Sequence, residues 1–193
     1  PEMRPLLAGW EQADSIVVNP HKWMFTPFDA SLLLFRTPEA YRDVFSLVPE
    51  YLRTPVAGGV HNYNEYGIQL GRRFRALKMW MQIRWFGVEG MAARLRDHVR
   101  LAKLFSDWID ADPDWERLAP VPFATVCFRF RRGDDLDAIN ERILERVNAS
   151  GKLFLSHTRL KDRFALRVAI GNPRQTEEHV ARCWSLLKEA AKG

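Results

Sequence analysis

Two apolar runs lie close together near the start of the chain, Ser15-Ile16-Val17-Val18 and Ser31-Leu32-Leu33-Leu34-Phe35. The second is continuous rather than alternating, the pattern of a strand covered on both faces. Ser15–Asn19 and Ser31–Phe35 are therefore expected to be adjacent strands of a sheet buried between helices. Residues 3–9 finish a loop or short helix ahead of them. Pro38 stands at a first helical position and opens a short helix, Pro38–Phe45. From Ser46 to Gln69 periodicity fails. Pro49, Pro55, Gly58-Gly59 and Gly67 punctuate a loop of about two dozen residues, longer than compact domains carry without a purpose. Such a segment is either disordered or a functional lid.

Helical spacing returns at Gly71. From there to Phe86, Phe74, Leu77, Met81 and Trp85 form one stripe, with Ala76, Met79, Trp80 and Ile83 beside it. A helix apolar around most of its circumference is expected to be buried, and a partner subunit is one candidate cover. Gly87 and Gly90 punctuate, and a second helix runs to about Ala111. Its inward stripe is read as Met91, Leu95, Val99, Ala102, Phe105 and Ile109, with Arg94, Arg96, Asp97 and Arg100 in water. Beyond Pro113 the period changes to two: Ala124, Val126, Phe128 and Phe130 alternate with Thr125, Cys127 and Arg129, as in a half-buried strand. Asp134 or Asp135 caps a helix carrying Leu136, Ile139, Ile143 and Val147, which ends before Gly151. Lys152–His157 and Phe164–Ile170 are two further strands, joined by a polar turn at Thr158–Asp162. Thr176 starts a final helix with Val180, Cys183, Trp184 and Leu187 inward. This β-α-β-β-α order predicts a small α+β domain.

At 193 residues and 47% hydrophobic content the chain can fill a real core. No apolar run approaches a membrane span, and Pro1-Glu2-Met3-Arg4 does not begin a signal peptide. Two cysteines, Cys127 and Cys183, make no disulfide framework and are read as reduced, packed thiols of a cytoplasmic protein. The net charge of +5 raises a nucleic-acid partner, with Arg72, Arg73 and Arg75 as the densest basic cluster. The other basic residues are scattered among acids, and neither zinc-finger spacing nor an RNA-binding aromatic signature accompanies them. A basic binding domain is therefore the alternative reading rather than the expected one.

The candidate chemistry sits where the first strand ends, at Asn19-Pro20-His21-Lys22-Trp23. A strand that delivers a lysine to its mouth can present an amine to a carbonyl compound, because desolvation lowers the lysine pKa and frees the amine for a Schiff base. A solvated surface lysine is the plainer reading of the same residue. Arg167, on an otherwise apolar strand, either attracts a carboxylate or belongs to a solvated strand face.

The run from Asp14 to Trp23, followed by Phe28-Asp29-Ala30-Ser31, resembles the lysine segment of the pyridoxal-phosphate-dependent amino-acid decarboxylases (group II). The block Leu70-Gly71-Arg72-Arg73-Phe74-Arg75-Ala76-Leu77-Lys78-Met79-Trp80 resembles the same family at a later position. Similarity continues through Phe123–Phe130 and Arg163–Ile170. The resemblance implies an α/β fold of the fold-type-I pyridoxal enzymes. It divides the chain into the end of the large cofactor-binding domain (1–70), connecting helices (71–112) and a small C-terminal α+β domain (113–193). It implies pyridoxal 5'-phosphate as cofactor, an aromatic L-amino acid as substrate, and a homodimer with a shared active site. Lys22 would hold the cofactor, and His21 and Asn19 would reach its phosphate. Gly71 would open a helix whose amides can bind an anion, the segment being supplied to the site by the neighbouring subunit, and the loop residue Tyr51 would donate a proton after carbon dioxide leaves. In relatives that make aldehydes this tyrosine is commonly phenylalanine, so Tyr51 favours simple decarboxylation. The family's ring-stacking histidine, its aspartate at the pyridine nitrogen and most of its phosphate loop would lie before Pro1. The chain is therefore expected to be the C-terminal part of a longer polypeptide, inactive alone.

Overall fold

The computed structural model describes residues 2–46 and 61–192. Its contacts divide the chain into two compact units, Pro1–Trp85 and Phe86–Gly193.

In the first unit, β1 (Ser15–Val18) runs antiparallel to β2 (Leu32–Phe35), with Ser15 opposite Phe35 and Val18 opposite Leu32. Between them lies a single helical turn, α1 (Pro20–Trp23), and after them α2 (Pro38–Phe45), with proline in the first turn of each helix. The ring of Phe35 stacks on Tyr41 of α2 at 4.4 Å and on Tyr66 of a short 3-10 turn at 5.8 Å, while Arg42 pairs with Glu65 at 2.7 Å. The strands pair as expected, but they are not covered on both faces: Val17 is 62% exposed and Leu34 51%. A continuous apolar run records what a strand is suited to bury, whereas among the described residues the two strands here pair only with each other.

The helix expected from Gly71 begins four residues later, as α3 (Arg75–Ala111), with residues in both units. Its helical backbone is interrupted at Gly87, whose φ of 68° lies where only glycine sits without strain; a Cβ there would touch nothing, so conformation rather than space calls for glycine. The expected burial of its first segment is not found: Phe74, Trp80, Met81 and Trp85 are 57 to 83% exposed. Amphipathic patterning finds a stripe, but burial requires a second surface.

The second unit packs helices on an antiparallel sheet of order β3-β4-β6-β5: β3 Trp115–Arg117, β4 Thr125–Phe130, β5 Ser156–Leu160 and β6 Arg163–Ala169. The three-residue β3 has too few positions for a period to register, and its presence changes the expected order to β-β-α-β-β-α. β5 begins later than expected. The turn to β6 is reduced to Lys161 and Asp162, with φ of 50° and 62°, the left-handed pair that matches hairpin twist. Without the usual glycine or asparagine, this turn leaves no clear mark in the sequence.

The helices α4 (Leu136–Ala149) and α5 (Glu177–Ala190) follow their periodicity. Asp135 caps α4 by accepting from the Ala138 amide at 3.0 Å, and Thr176 with His179 forms a reciprocal capping box on α5. Val180, Cys183, Trp184 and Leu187 face inward as expected. They meet Val126 and Phe128 of β4, Phe164 and Leu166 of β6, and Leu101, Phe105 and Ile109 of α3 in one core. Phe105 lies edge-on to Phe128 at 5.3 Å and to Trp184 at 5.8 Å. The buried stripe of α3 is rotated from the expected one: His98 and Leu101 are buried, while Leu95 and Val99 are half-buried. A polar ring breaks the apolar stripe at His98, yet its Nε2 donates to the Asn172 carbonyl at 3.0 Å, which makes its burial tolerable. Among the described residues no helix is long and apolar enough to cross a membrane.

Candidate active site

Lys22 is exposed on α1, the single turn that follows β1, and no ion pair among the described residues engages its amine. The turn closes through the Lys22 amide, which donates to Asn19 O at 3.0 Å. The chain then reverses through Phe25, a bulky residue at φ 60°, a conformation costing about 1–3 kcal/mol that surrounding structure must hold. This reversal brings residues 28–31 back alongside residues 19–21.

Hydrogen bonds and a ring contact join the two segments. The Ala30 carbonyl accepts from the His21 amide at 3.3 Å and lies 2.5 Å from His21 Nδ1. The Ala30 amide lies 3.1 Å from the same nitrogen. Nδ1 cannot donate to one and accept from the other at once; the shorter contact is to a carbonyl, which only accepts, and this places the proton on Nδ1. His21 Nε2 then becomes a donor to an anion only when the ring is cationic. The Phe28 ring stands edge-on to the His21 ring at 5.1 Å. Ser31 Oγ donates to Asn19 Oδ1 at 2.6 Å, leaving the amide end of Asn19 for other acceptors. Asn19 and His21 are thus held in place beside Lys22. In the same loop Thr26 is 3% exposed, and its Oγ1 has no hydrogen-bond partner among the described residues, a polar atom that a bound group or water would satisfy.

Two further residues belong to this arrangement, and sequence reasoning assigns them no role. Asp29 accepts from Arg75 Nε at 3.1 Å, with Arg75 Nη2 also 3.1 Å from the same oxygen. The Arg75 guanidinium is the main influence holding the Asp29 carboxyl below the usual carboxylate range. Both residues stand inside recognisable blocks, but they are 46 positions apart and nothing local marks them as a pair.

Gly71 lies four residues before α3 rather than at its first turn, and a Cβ added to it would meet nothing within 4 Å. The chain itself therefore makes no steric demand for glycine there. Tyr51 falls outside the described residues. Arg167 is half-buried on β6, donates to Ser156 Oγ at 3.2 Å, and lines a cavity of about 630 Å³ with Lys152, Arg174 and Arg182. That half-buried position is not the bare solvated face of a strand.

Lys22 is exposed, so the desolvation expected to free its amine is not found among the described residues; two polar side chains fixed from a second segment stand just before it in the chain, and an amine so placed can form a covalent bond with a carbonyl compound. Comparison with known proteins identifies the class. Residues 1–131 match the model of the pyridoxal-dependent decarboxylase conserved domain, and the chain belongs to that family. Over 197 aligned residues it is 41% identical to phenylacetaldehyde synthase and to tyrosine decarboxylase 2, both of Arabidopsis thaliana; each alignment covers 99% of the chain but 40% and 36% of those proteins. The structure of Oryza sativa TDC with PLP and tryptamine superposes with a TM-score of 0.94 at 37% identity, covering the whole chain and 41% of that protein. Rhodiola rosea 4-hydroxyphenylacetaldehyde synthase superposes at 0.88 with 33% identity, the chain covering 40% of it. The fold is the α/β fold of the fold-type-I pyridoxal enzymes, and the chain spans about two-fifths of the length of the curated relatives it matches.

Proposed function

We propose that this chain supplies the lysine segment of a pyridoxal-phosphate-dependent enzyme that decarboxylates an aromatic L-amino acid to its amine and carbon dioxide. The observation that carries the proposal is the Lys22 amine, exposed and engaged by no ion pair among the described residues, on a turn fixed at Asn19 and His21. Bound pyridoxal phosphate supplies an electron sink for the bond that releases carbon dioxide. Lys22 Nζ is the covalent attachment point, and no carboxylate among the described residues competes for the amine. Asn19 offers its amide N–H groups to the phosphate, and His21 offers Nε2–H when the imidazole is cationic. Tyr51 Oη delivers a proton to the substrate carbon that has lost its carboxylate, in a site that excludes water.

The active unit is a homodimer in which Gly71 reaches the site of the second copy. Two features support this: glycine at 71 answers no steric need within one chain, and the apolar face of the first part of α3 is exposed. A decarboxylase and an aldehyde synthase both stand among the relatives at 41% identity; tyrosine at position 51 favours the amine product.

The test is made on the protein expressed with its natural upstream sequence. Pyridoxal phosphate should acquire the visible absorption of an amine adduct with the unchanged protein and not with Lys22→Ala. Aromatic amino acids should then yield amine and carbon dioxide in equal amounts. Absence of the absorption from the unchanged protein would overturn the reading. Aldehyde as the main product would move it to the synthase, and Tyr51→Phe should shift product toward aldehyde if Tyr51 is the proton donor.

A further inference from the structure

Residues 29, 30 and 31 each reach a different part of the site's framework. Asp29 is tied to Arg75, Ala30 holds the His21 ring and backbone, and Ser31 holds Asn19. Asn19 and His21 lead directly into Lys22 on the same turn, so the 29–31 segment acts as a rack on which the lysine turn is mounted. Its attachments at Ala30 and Ser31 face the turn. The Asp29 attachment is to Arg75, the first residue of α3, whose backbone stays helical as far as Phe86.

We propose that Arg75 is a positioning residue: through Asp29 it anchors the 29–31 rack and so fixes where Lys22 Nζ is presented to the cofactor. The proposal rests on Lys22 being the point of cofactor attachment. Arg75 suits the task because its planar fork reaches one carboxylate oxygen from two nitrogens, fixing direction as well as distance. The side chains are 30% and 37% exposed, so the pair contributes little to global stability. Its effect falls instead on the spread of positions open to the lysine amine, and attachment at a reacting atom is sensitive to that spread.

The experiment uses the full-length protein and measures cofactor binding, not turnover. The dissociation constant for pyridoxal phosphate is read from the visible absorption, and attachment at Lys22 is confirmed by borohydride reduction and peptide mass. Arg75→Gln and Asp29→Asn are each expected to weaken binding about tenfold, the lower end of the effect of removing an outer support from a site. The double variant should be no weaker than either single one, since both break the same contact. Arg75→Lys, which keeps a charged donor, should recover most of the loss. Melting midpoints should stay within about 3 °C of the unchanged protein, as for a partly exposed pair.

Normal binding by Arg75→Gln and Asp29→Asn overturns the proposal and leaves the proposed function standing. Strictly multiplicative losses in the double variant, or a loss that tracks a collapse in melting midpoint, also overturn it, since either assigns the residues to separate or purely structural roles. No adduct in the unchanged protein overturns the functional reading and this proposal together.

Discussion

Asn140 gives the sharpest test of how the second unit holds its sheet. Its side chain is 0% exposed and makes three hydrogen bonds at 2.8 Å: Oδ1 accepts from the Phe130 amide, and Nδ2 donates to Phe130 O and Leu136 O. The Cys127 carbonyl on β4 and the Arg131 amide just after it bond toward the β3 side, so the polar groups of Phe130 point the other way. There the pairing with β6 ends at Phe128 opposite Leu166, and Asn140 takes the place of the missing strand. Asn140→Asp keeps the shape and the bond from the Phe130 amide, but it replaces both N–H donors with an acceptor facing two carbonyls. Two lost bonds at about 1 kcal/mol each, plus the cost of buried acceptors left without donors, come to about 3 kcal/mol. At about 1.4 kcal/mol per tenfold, local opening should be about a hundredfold more frequent. Hydrogen exchange of the 125–130 segment at neutral pH, read by mass spectrometry against the unchanged protein, measures this directly. A carboxyl forced into this position has its pKa raised, so the deficit should shrink as pH falls and the new acid regains a proton to donate. Exchange within about threefold of the unchanged protein would refute the reasoning, because the three bonds would then be replaceable at negligible cost.

Other expectations follow from the same geometry. Burial pushes the Cys183 thiol up to about 12, and it also raises Cys127 while Arg167 opposes the rise. Iodoacetamide near pH 8 should therefore label half-buried Cys127 first and reach Cys183 only on unfolding; prompt native labelling of Cys183 would contradict its packing. Burial lowers the pKa of His98 below 6.5, against the opposing influence of its bond to Asn172. The unfolded chain then takes up a proton before the folded one, so stability should be full above that value and fall as pH drops below it. Urea titrations should show this slope flattened in His98→Gln, and an equal slope in both proteins would remove His98 as its source. If the exposed face of α3 is covered by a second copy, Trp80→Glu or Met81→Glu should halve the mass measured by light scattering, whereas an unchanged mass would assign the cover to another part of the polypeptide.

What the sequence determined by itself was local. α4 and α5, their caps at Asp135 and Thr176, and the inward faces of α5 and β4 follow from periods and capping residues within a few positions of one another. The lysine segment was equally legible, because a short strand followed by Asn19-Pro20-His21-Lys22 is contiguous. Tertiary structure decided the features that require segments far apart to meet. These are the short β3 recruited by β4, the rotated face of α3 that buries His98 against the Asn172 carbonyl, and the Asp29 to Arg75 anchor. It also decided burial itself: hydrophobic spacing shows which face of a strand or helix would gain from leaving water, but only the presence of an opposing surface makes that face a core. Hence the apolar stripes of β2 and the first part of α3 are legible in the sequence as stripes, while their exposure follows only from the fold.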